Sequence, residues 1–216
     1  MRHLSLSARQ ARNGAGRRGN ATKPGWHRAE AALKPAEDPG LPPPGVVVAY
    51  DRAVGSPLII RPARVQDVRQ MARVHVRCWQ ETYRGLMPDA VLDDPGFTAA
   101  RERMWTDVLT SGRYGENRVA VAERDDELAG IAMSGPPEDA AAAWTRQLYV
   151  LYVYAADHGT GAGRALLEAV IDPAESAVLW VADPNPRAQA FYRKHGFAAD
   201  GTARSDDGVR EIRMVR

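Results

Sequence analysis

An unbroken apolar run covers residues 148–153, with the sequence Leu-Tyr-Val-Leu-Tyr-Val. Because no polar residues alternate with the apolar ones, the run predicts a strand buried on both faces. Three glycines follow closely, Gly159, Gly161 and Gly163, and a helix is predicted over 161–171. A glycine-rich turn at the start of a helix presents several backbone N–H groups at the positive end of the helix dipole. The pattern therefore predicts that the protein holds a phosphorylated ligand at this turn.

Hydrophobic periodicity elsewhere predicts an α/β chain whose regular elements begin near residue 57. Helices are predicted over 65–80 and 97–110, and Gly85 and Pro88 interrupt the pattern between them. The predicted strands are 57–61, 118–122, 128–134, 145–153, 177–181, 197–201 and 209–215, and a last helix lies between Asn185 and Gly196. The resulting order is β-α-α-β-β-β-α-β-α-β-β.

Spacing separates the known kinds of glycine-rich phosphate loop. A nucleoside-triphosphate loop needs a Lys-Ser/Thr pair after its last glycine, but Arg164 and Ala165 follow Gly163. The dinucleotide pattern G-x-G-x-x-G does not fit glycines at 159, 161 and 163. A tight turn that simply requires glycine is the structural alternative. The segment from His158 to Gly163 resembles Gln/Arg-x-x-Gly-x-Gly/Ala, the pyrophosphate loop of the GCN5-related N-acetyltransferases (GNAT), at every place but the first.

A second segment, 179–197, supports the same resemblance. It is similar to the second GNAT signature, a strand followed by N-x-x-A-x-x-F-Y-x-x-x-G-F, and the matching residues are Asn185, Ala188, Phe191, Tyr192, Gly196 and Phe197. Pro186 suits the first turn of a helix with Asn185 as its N-cap, and Gly196 suits the residue after its end. The chain is identified as a member of the GNAT superfamily over roughly 57–216, similar to uncharacterised bacterial members.

The resemblance implies the GNAT fold, a splayed mixed β-sheet flanked by helices, and acetyl-CoA as cofactor. The sheet would open between the strands 145–153 and 177–181, where the cofactor enters. Backbone N–H groups of 158–163 would hold the pyrophosphate. Leu151 and Val153 would offer backbone groups to the pantetheine arm, and a main-chain N–H near Leu151 would stabilise the thioester oxygen. The residues assigned to the cofactor are Leu151, Tyr152, Val153, His158, Gly159, Thr160, Gly161, Ala162, Gly163, Arg164, Asn185 and Tyr192.

By the same resemblance, Tyr192 protonates the leaving thiolate, and a tyrosine that only packs in the core is the alternative. Relatives often carry Glu before the Leu-Tyr pair of the central strand, but this chain has Gln147, which cannot accept a proton. Glu81, Tyr83 or a chain of waters would replace that base, and Glu81 also fits a solvated acid at a helix end. The acceptor pocket is assigned to Trp79, Thr82 and Tyr83, which combine aromatic surface with polar tips.

Charge divides the 216 residues at about position 56. Residues 1–56 carry nine basic and four acidic side chains, whereas 57–216 carry 20 basic and 23 acidic ones. The first segment is rich in Gly and Pro and lacks a periodic apolar pattern, so it predicts a disordered extension before the GNAT domain of 57–216. A transit peptide, a nucleic-acid-binding arm and a start site placed too far upstream are alternatives. Because Arg far outnumbers Lys, coding bias explains the arginines better than a binding role does.

The remaining composition narrows the class of protein. No stretch approaches the ~20 apolar residues of a membrane span, and the single cysteine, Cys78, fits a core position in a reducing, cytoplasmic compartment. No metal site is expected from the spacing of the histidines. The predicted reaction moves an acetyl group from acetyl-CoA to a primary amine of a small molecule. Alternatives are a protein N-terminus or lysine as acceptor and a non-catalytic acyl-CoA-binding module. A homodimer is a possible assembly, and neither nucleic acid nor a membrane is expected as a partner.

Overall fold

The computed structural model describes residues 47–49, 56–139, 142–206 and 208–216, which form one mixed sheet with helices on both faces. The strands are β1 (Val47–Ala49), β2 (Leu58–Pro62), β3 (Arg118–Arg124), β4 (Glu127–Gly135), β5 (Arg146–Val153), β6 (Ala177–Ala182), β7 (Ala198–Asp206) and β8 (Val209–Val215). The helices are α1 (Val68–Tyr83), α2 (Asp89–Leu92), α3 (Phe97–Thr110), α4 (Ala162–Val170) and α5 (Pro186–Lys194). The strands lie in the order β1-β2-β3-β4-β5-β6-β8-β7, and only β5 and β6 are parallel.

The predicted fold class is confirmed, and most differences concern the ends of elements. α1 continues to Tyr83, beyond the predicted end at residue 80, so Thr82 and Tyr83 also lie within the helix. The helix continues because its buried stripe repeats every three or four residues up to Trp79. β1 lies on the N-terminal side of the predicted domain boundary at residue 57 and pairs with β2. The rest of the predicted extension, apart from Ser56, lies outside the described residues.

Each face of the sheet carries its own apolar core. On one face, α4 and α5 cover β2, β3, β4, β5, β6 and β8, and their shared core includes Leu148, Leu166 and Tyr192. On the other face, α1 and α3 cover β3, β4 and β5, and Trp105 is fully buried there. Cys78 belongs to this second core and is 3 % exposed, as predicted. No helix in the described part of the chain is long and apolar enough to span a membrane.

β5 and β6 separate soon after they meet. Their pairing comprises Arg146 with Ala177, Gln147 with Val178, and Leu148 with Leu179. Beyond Leu148, β5 stays paired with β4 as far as Val153, while β6 stays paired with β8 as far as Ala182. The sheet therefore opens between the two predicted strands, and one edge of β5 faces the gap without a strand partner.

A buried polar cluster lies where α1 packs on α3. His75 and Arg101 are both 0 % exposed, and the His75 ring lies 4.9 Å from the Tyr152 ring and 6.0 Å from the Trp105 ring. Within the described residues, neither ring nitrogen of His75 has a hydrogen-bond partner, and Nε and Nη2 of Arg101 have none either. The guanidinium instead stacks 4.8 Å from the Phe97 ring and 5.0 Å from the Trp79 ring. Burial, together with the charge of Arg101, holds the pKa of His75 well below its ordinary value.

His75→Phe is expected to reduce the loss of stability on acidification. In the unfolded chain His75 takes up a proton as the pH falls below about 6.5, and in the folded protein it does not, so the free energy of unfolding decreases there by up to about 1.4 kcal/mol per pH unit. Phenylalanine keeps an aromatic ring at this position but cannot take up a proton, so this pH dependence is removed. The slope of the free energy of unfolding against pH is measured by urea unfolding. The pH values run from about 7.5 to about 5.5, on either side of the pKa of histidine in the unfolded chain. His195→Gln is the control, and an unchanged slope in His75→Phe would contradict the assignment.

Candidate active site

The glycine turn joins β5 to α4 and takes a conformation that only glycine adopts easily. A single 3₁₀ turn, Ala155–Asp157, follows β5, and Gly159 and Gly161 then have φ values of +85° and +91°. Gly161 caps α4, and its carbonyl accepts the N–H of Ala165 at 3.0 Å. The Thr160 hydroxyl donates to the carbonyl of Asp157 at 2.8 Å, which closes the turn.

The turn leaves a set of backbone donors available. Within the described residues, the N–H groups of Gly159, Thr160, Gly161, Gly163 and Arg164 have no acceptor. A Cβ placed on Gly159 or Gly161 would meet no atom within 4 Å, so open space adjoins the turn at both residues. Donors at a helix N-terminus beside open space suit the oxygens of a pyrophosphate. The predicted cofactor loop thus combines backbone donors that lack an acceptor with open space beside them.

His158 has a structural role that the sequence did not reveal. Its Nε2 lies 2.9 Å from the carbonyl oxygen of Val153, and the Arg187 guanidinium contacts both ring nitrogens. The consistent tautomer donates from Nε2 to Val153 and accepts from Arg187 at Nδ1. Burial and the charge of Arg187 lower the pKa of His158, which favours this neutral form. The residue that departs from the family pattern therefore ties the end of β5 to the first turn of α5.

The edge of β5 offers main-chain groups to the gap. Tyr154 donates its N–H to Ala129 of β4 at 3.0 Å. Because alternate residues of a strand direct their main-chain groups to opposite sides, Leu151 and Val153 face the gap, whereas Tyr152 faces β4. The main chain of Tyr152, which was predicted to bind the cofactor, therefore faces away from the gap. Its side chain lies on the α1 side, where its hydroxyl accepts a hydrogen bond from Trp79 Nε1 at 2.8 Å.

α5 carries Tyr192 to the base of the gap. Asn185 caps the helix as predicted, since its side chain accepts the N–H of Ala188 at 3.1 Å. Tyr192 is 9 % exposed, and its ring packs edge-on against Phe191 and Phe197. Its hydroxyl forms no hydrogen bond within the described residues. Burial raises the pKa of Tyr192 above that of an ordinary tyrosine, so the phenol holds its proton at neutral pH.

The predicted acceptor residues divide between core and surface. Trp79 is 3 % exposed and belongs to the buried apolar core, whereas Thr82 is exposed and Tyr83 is half-buried. Tyr83 packs edge-on against Trp79 with ring centroids 5.3 Å apart. Burial raises the pKa of Tyr83, and the charges of Tyr152, Tyr192 and Glu211 raise it further. These four ionisable groups therefore lie close together across the gap.

Two residues discussed as bases or base replacements are held by other contacts. Glu81 accepts the N–H of Ala155 at 3.2 Å with one oxygen and pairs with Arg77 Nε at 3.0 Å with the other. Gln147 is buried, and its side-chain oxygen accepts the N–H of Glu138 at 3.0 Å. Glu81 thus connects α1 to the turn before the glycine loop, and Gln147 anchors the segment after β4.

Glu211 is an ionisable residue of the site that the sequence analysis missed. It lies on β8, opposite Ala182 of β6 and Arg204 of β7, and its Oε2 accepts from Arg204 Nε at 2.8 Å. Burial raises the pKa of Glu211, and Arg204 offsets part of this rise. One signal was available in the sequence. Glu211 is the only acidic residue of β8, and it shares one face of the strand with Val209 and Arg213.

Arg204 is surrounded by carboxylates at this end of the gap. Besides Glu211, it lies 3.7 Å from Glu138 and 3.9 Å from Asp206, and its guanidinium stacks 4.1 Å from the Trp180 ring. Three carboxylates thus accompany one guanidinium, so the local charge is negative. In the described ranges, no group of three or more His, Cys, Asp or Glu side chains is placed to hold a metal ion.

Comparison with known proteins finds acetyltransferases both among protein families and among individual relatives. The model of the acetyltransferase (GNAT) family matches residues 70–197. The probable N-acetyltransferase Rv2775 of Mycobacterium tuberculosis (strain ATCC 25618 / H37Rv) is 29 % identical over 146 residues, which cover 66 % of this chain and 80 % of that protein. The peptidyl-lysine N-acetyltransferase YjaB of Escherichia coli (strain K12) is 33 % identical over 89 residues, or 41 % of this chain and 54 % of its own length.

A solved structure shares the fold. The PaiA N-acetyltransferase from Thermoplasma acidophilum, crystallised in complex with coenzyme A, superimposes with a TM-score of 0.56 at 17 % sequence identity. The match covers 72 % of this chain and 97 % of that one. At this identity the likeness supports the same architecture, a mixed sheet with helices on both faces.

Proposed function

This chain belongs to the acetyltransferase (GNAT) family and is an N-acetyltransferase that uses acetyl-CoA, and we propose that its acceptor is the primary amine of a small molecule. The observation that supports a compact acceptor is the contact between α1 and the far strands. Trp79 and Phe97 pack in one apolar cluster with Ala182 of β6 and Val209 of β8, and Tyr83 packs against this cluster. This contact narrows the acceptor side of the gap, which an extended peptide would need open.

Each step of the proposed reaction has a residue of this chain to support it. Acetyl-CoA, when bound, supplies the thioester carbon that an amine attacks. The N–H groups between Gly159 and Arg164 that lack an acceptor within the described residues hold the pyrophosphate. The main chain of Leu151 faces the gap, where it can orient the thioester. Tyr192 keeps a proton on its hydroxyl, from which the departing sulfur is protonated. His158 and Glu81 position the turn between these two regions.

Two other acceptor or activity classes are the competing proposals. The likeness to a peptidyl-lysine N-acetyltransferase favours a lysine side chain as a second candidate, with a protein N-terminus as a related one. A non-catalytic acyl-CoA-binding module is a third. The protonated phenol of Tyr192 beside the gap favours a catalyst over such a module. We further propose a cytoplasmic protein, since the single cysteine is buried and forms no disulfide, and a homodimer as its assembly.

Calorimetry followed by an acceptor screen tests the proposal. We expect acetyl-CoA titrated into the full-length protein to bind with micromolar affinity. A panel of small primary amines is then assayed for acetyl-CoA-dependent release of the CoA thiol, with a mixture of lysine-containing peptides in parallel. Acetylation of a small amine in preference to the peptides is the expected result. Preference for the peptides would support the lysine alternative, and tight binding with no transfer at all would support the binding module.

A further inference from the structure

We infer that Glu211 is the general base of the reaction and that the acceptor enters as an alkylammonium cation. The inference rests on the proposed function, because it concerns the amine acceptor of the same site. It assigns the base to β8, the last strand along the chain, on the opposite side of the gap from β5. The chemical class of acceptor that follows is an aliphatic primary amine, which is protonated at neutral pH.

The strand geometry places Glu211 on the acceptor side. Residues 209, 211 and 213 share one face of β8, because side chains alternate along a strand. Val209 on that face packs with Trp79 and the end of α1, and Ala182, which is paired with Glu211, belongs to the same apolar cluster. The neighbouring residues Ile212 and Met214 pack instead on the opposite face, with α4 and α5. Glu211 therefore extends from the sheet on the face that α1 covers.

The contacts of Glu211 leave one oxygen for a substrate. Oε2 accepts from Arg204, and Oε1 has no partner within the described residues. The side chain keeps 13 % of its surface exposed, so the carboxylate is mostly desolvated yet open to the gap. Its charge interacts with both Tyr83 and Tyr152. Glu81 and Gln147 lack this combination, because protein donors already occupy the oxygens of both.

The surroundings of Glu211 suit a cation. The groups that face it are Arg204 and Asp206 from β7, Glu138 from the segment after β4, Tyr83 from α1 and Tyr152 from β5. Arg204 is the one cation among them, and Arg213, on the same face of β8, pairs with Asp200. Both tyrosines are neutral because burial raises their pKa values. An ammonium group beside Oε1 would therefore meet net negative charge and aromatic surface, both of which attract cations.

The step balances in protons and electrons. Glu211 Oε1 removes one proton from the ammonium, and the nitrogen lone pair then forms the C–N bond to the thioester carbon. The C–S bond breaks, its electron pair goes to sulfur, and Tyr192 protonates that sulfur. The second proton lost by nitrogen restores the Tyr192 hydroxyl. The products are the N-acetylated amine and the CoA thiol, and Glu211 releases its proton to solvent.

The test compares two amines of nearly equal shape. Benzylamine is an ammonium at neutral pH, whereas aniline is already a free amine. In Glu211→Gln, kcat/KM for benzylamine is expected to fall by about 100-fold or more, the scale of a lost general base, and the acidic limb of its pH profile to disappear. With aniline the loss is expected to stay below about tenfold, because no proton has to be removed before attack. Calorimetric binding of acetyl-CoA should be unchanged, which shows that the variant is folded.

Two further variants separate a base from a structural residue. Arg204→Gln removes the cation that lowers the pKa of Glu211, so the acidic limb for benzylamine should move to higher pH. Glu127→Gln, in the exposed β3–β4 hairpin, is the matched control and should behave as wild type. Equal losses with both amines, or an unmoved acidic limb in Arg204→Gln, would overturn the inference. If the wild-type protein binds acetyl-CoA but acetylates neither these amines nor any other in the panel, the proposed function itself fails.

Discussion

Gly161→Val is expected to weaken the binding of acetyl-CoA by about 100-fold or more, equivalent to about 2.7 kcal/mol. Gly161 has a φ of +91°, where a β-branched residue is strained, so the turn would relax away from its present shape. The N–H groups around it would then no longer converge. A valine that did keep this shape would place its methyl groups in the open space beside the turn, which a bound pyrophosphate needs. Either outcome removes hydrogen bonds to the pyrophosphate.

Gly201→Val is the matched control for this experiment. Gly201 lies on β7 with a φ of +86°, and a Cβ there also meets no atom within 4 Å. The two variants therefore carry a similar backbone penalty and should unfold at similar temperatures. Only Gly161→Val should lose affinity when acetyl-CoA is titrated in a calorimeter. Wild-type affinity in Gly161→Val would remove the turn from the cofactor site.

Tyr192→Phe is expected to lower kcat by about 100-fold or more while the affinity for acetyl-CoA stays the same. The substitution removes only the hydroxyl, and the ring keeps its edge-on contacts with Phe191 and Phe197. Since burial keeps the phenol protonated, the hydroxyl is a proton donor and not a base at neutral pH. Without it, the sulfur departs as an unprotonated thiolate, a poorer leaving group.

The control for this prediction is Tyr114→Phe, on the loop after α3. Tyr114 lines a surface pocket of about 600 Å³ together with Arg61 and Thr110, away from the opening between β5 and β6. Its hydroxyl should be dispensable for turnover. Steady-state rates with a saturating amine from the acceptor screen measure both variants. Undiminished turnover in Tyr192→Phe would leave this tyrosine with a packing role only.

Local sequence patterns were sufficient where the structure depends on neighbours in the chain. Asn185 caps α5 and Gly196 ends it, where the N–H of Phe197 donates to the carbonyl of Tyr192 at 3.1 Å. The glycine turn follows from a signature of a few residues, whereas the opening beyond Leu148 was expected only from the family resemblance. In these segments the conformation is set by φ preferences, caps and short-range periodicity, all of which are encoded within one turn or strand.

The residues that escaped the sequence analysis depend on contacts between distant segments. Glu211 faces the acceptor side because β8 inserts between β6 and β7, a pairing that no local pattern specifies. His158 is fixed by Val153 and Arg187, which belong to two other elements. Glu81 is a solvated helix-end acid by sequence, yet it caps the N–H of Ala155, 74 positions further along the chain. Such roles arise only when the register of the whole sheet is known.

The short contact between β5 and β6 also leaves the backbone hydrogen bonding of the sheet weak at one point. β1 to β5 form one ladder of strands and β6, β8 and β7 another, and three residue pairs at the closed end join them. Few backbone hydrogen bonds therefore oppose a local opening in which the smaller ladder separates as a unit. A donor molecule that bound along the exposed edge of β5 only in the closed arrangement would stabilise that arrangement by mass action. Bound acetyl donor would therefore also hold the two ladders together. We expect the protein to unfold most cooperatively in its donor-bound form.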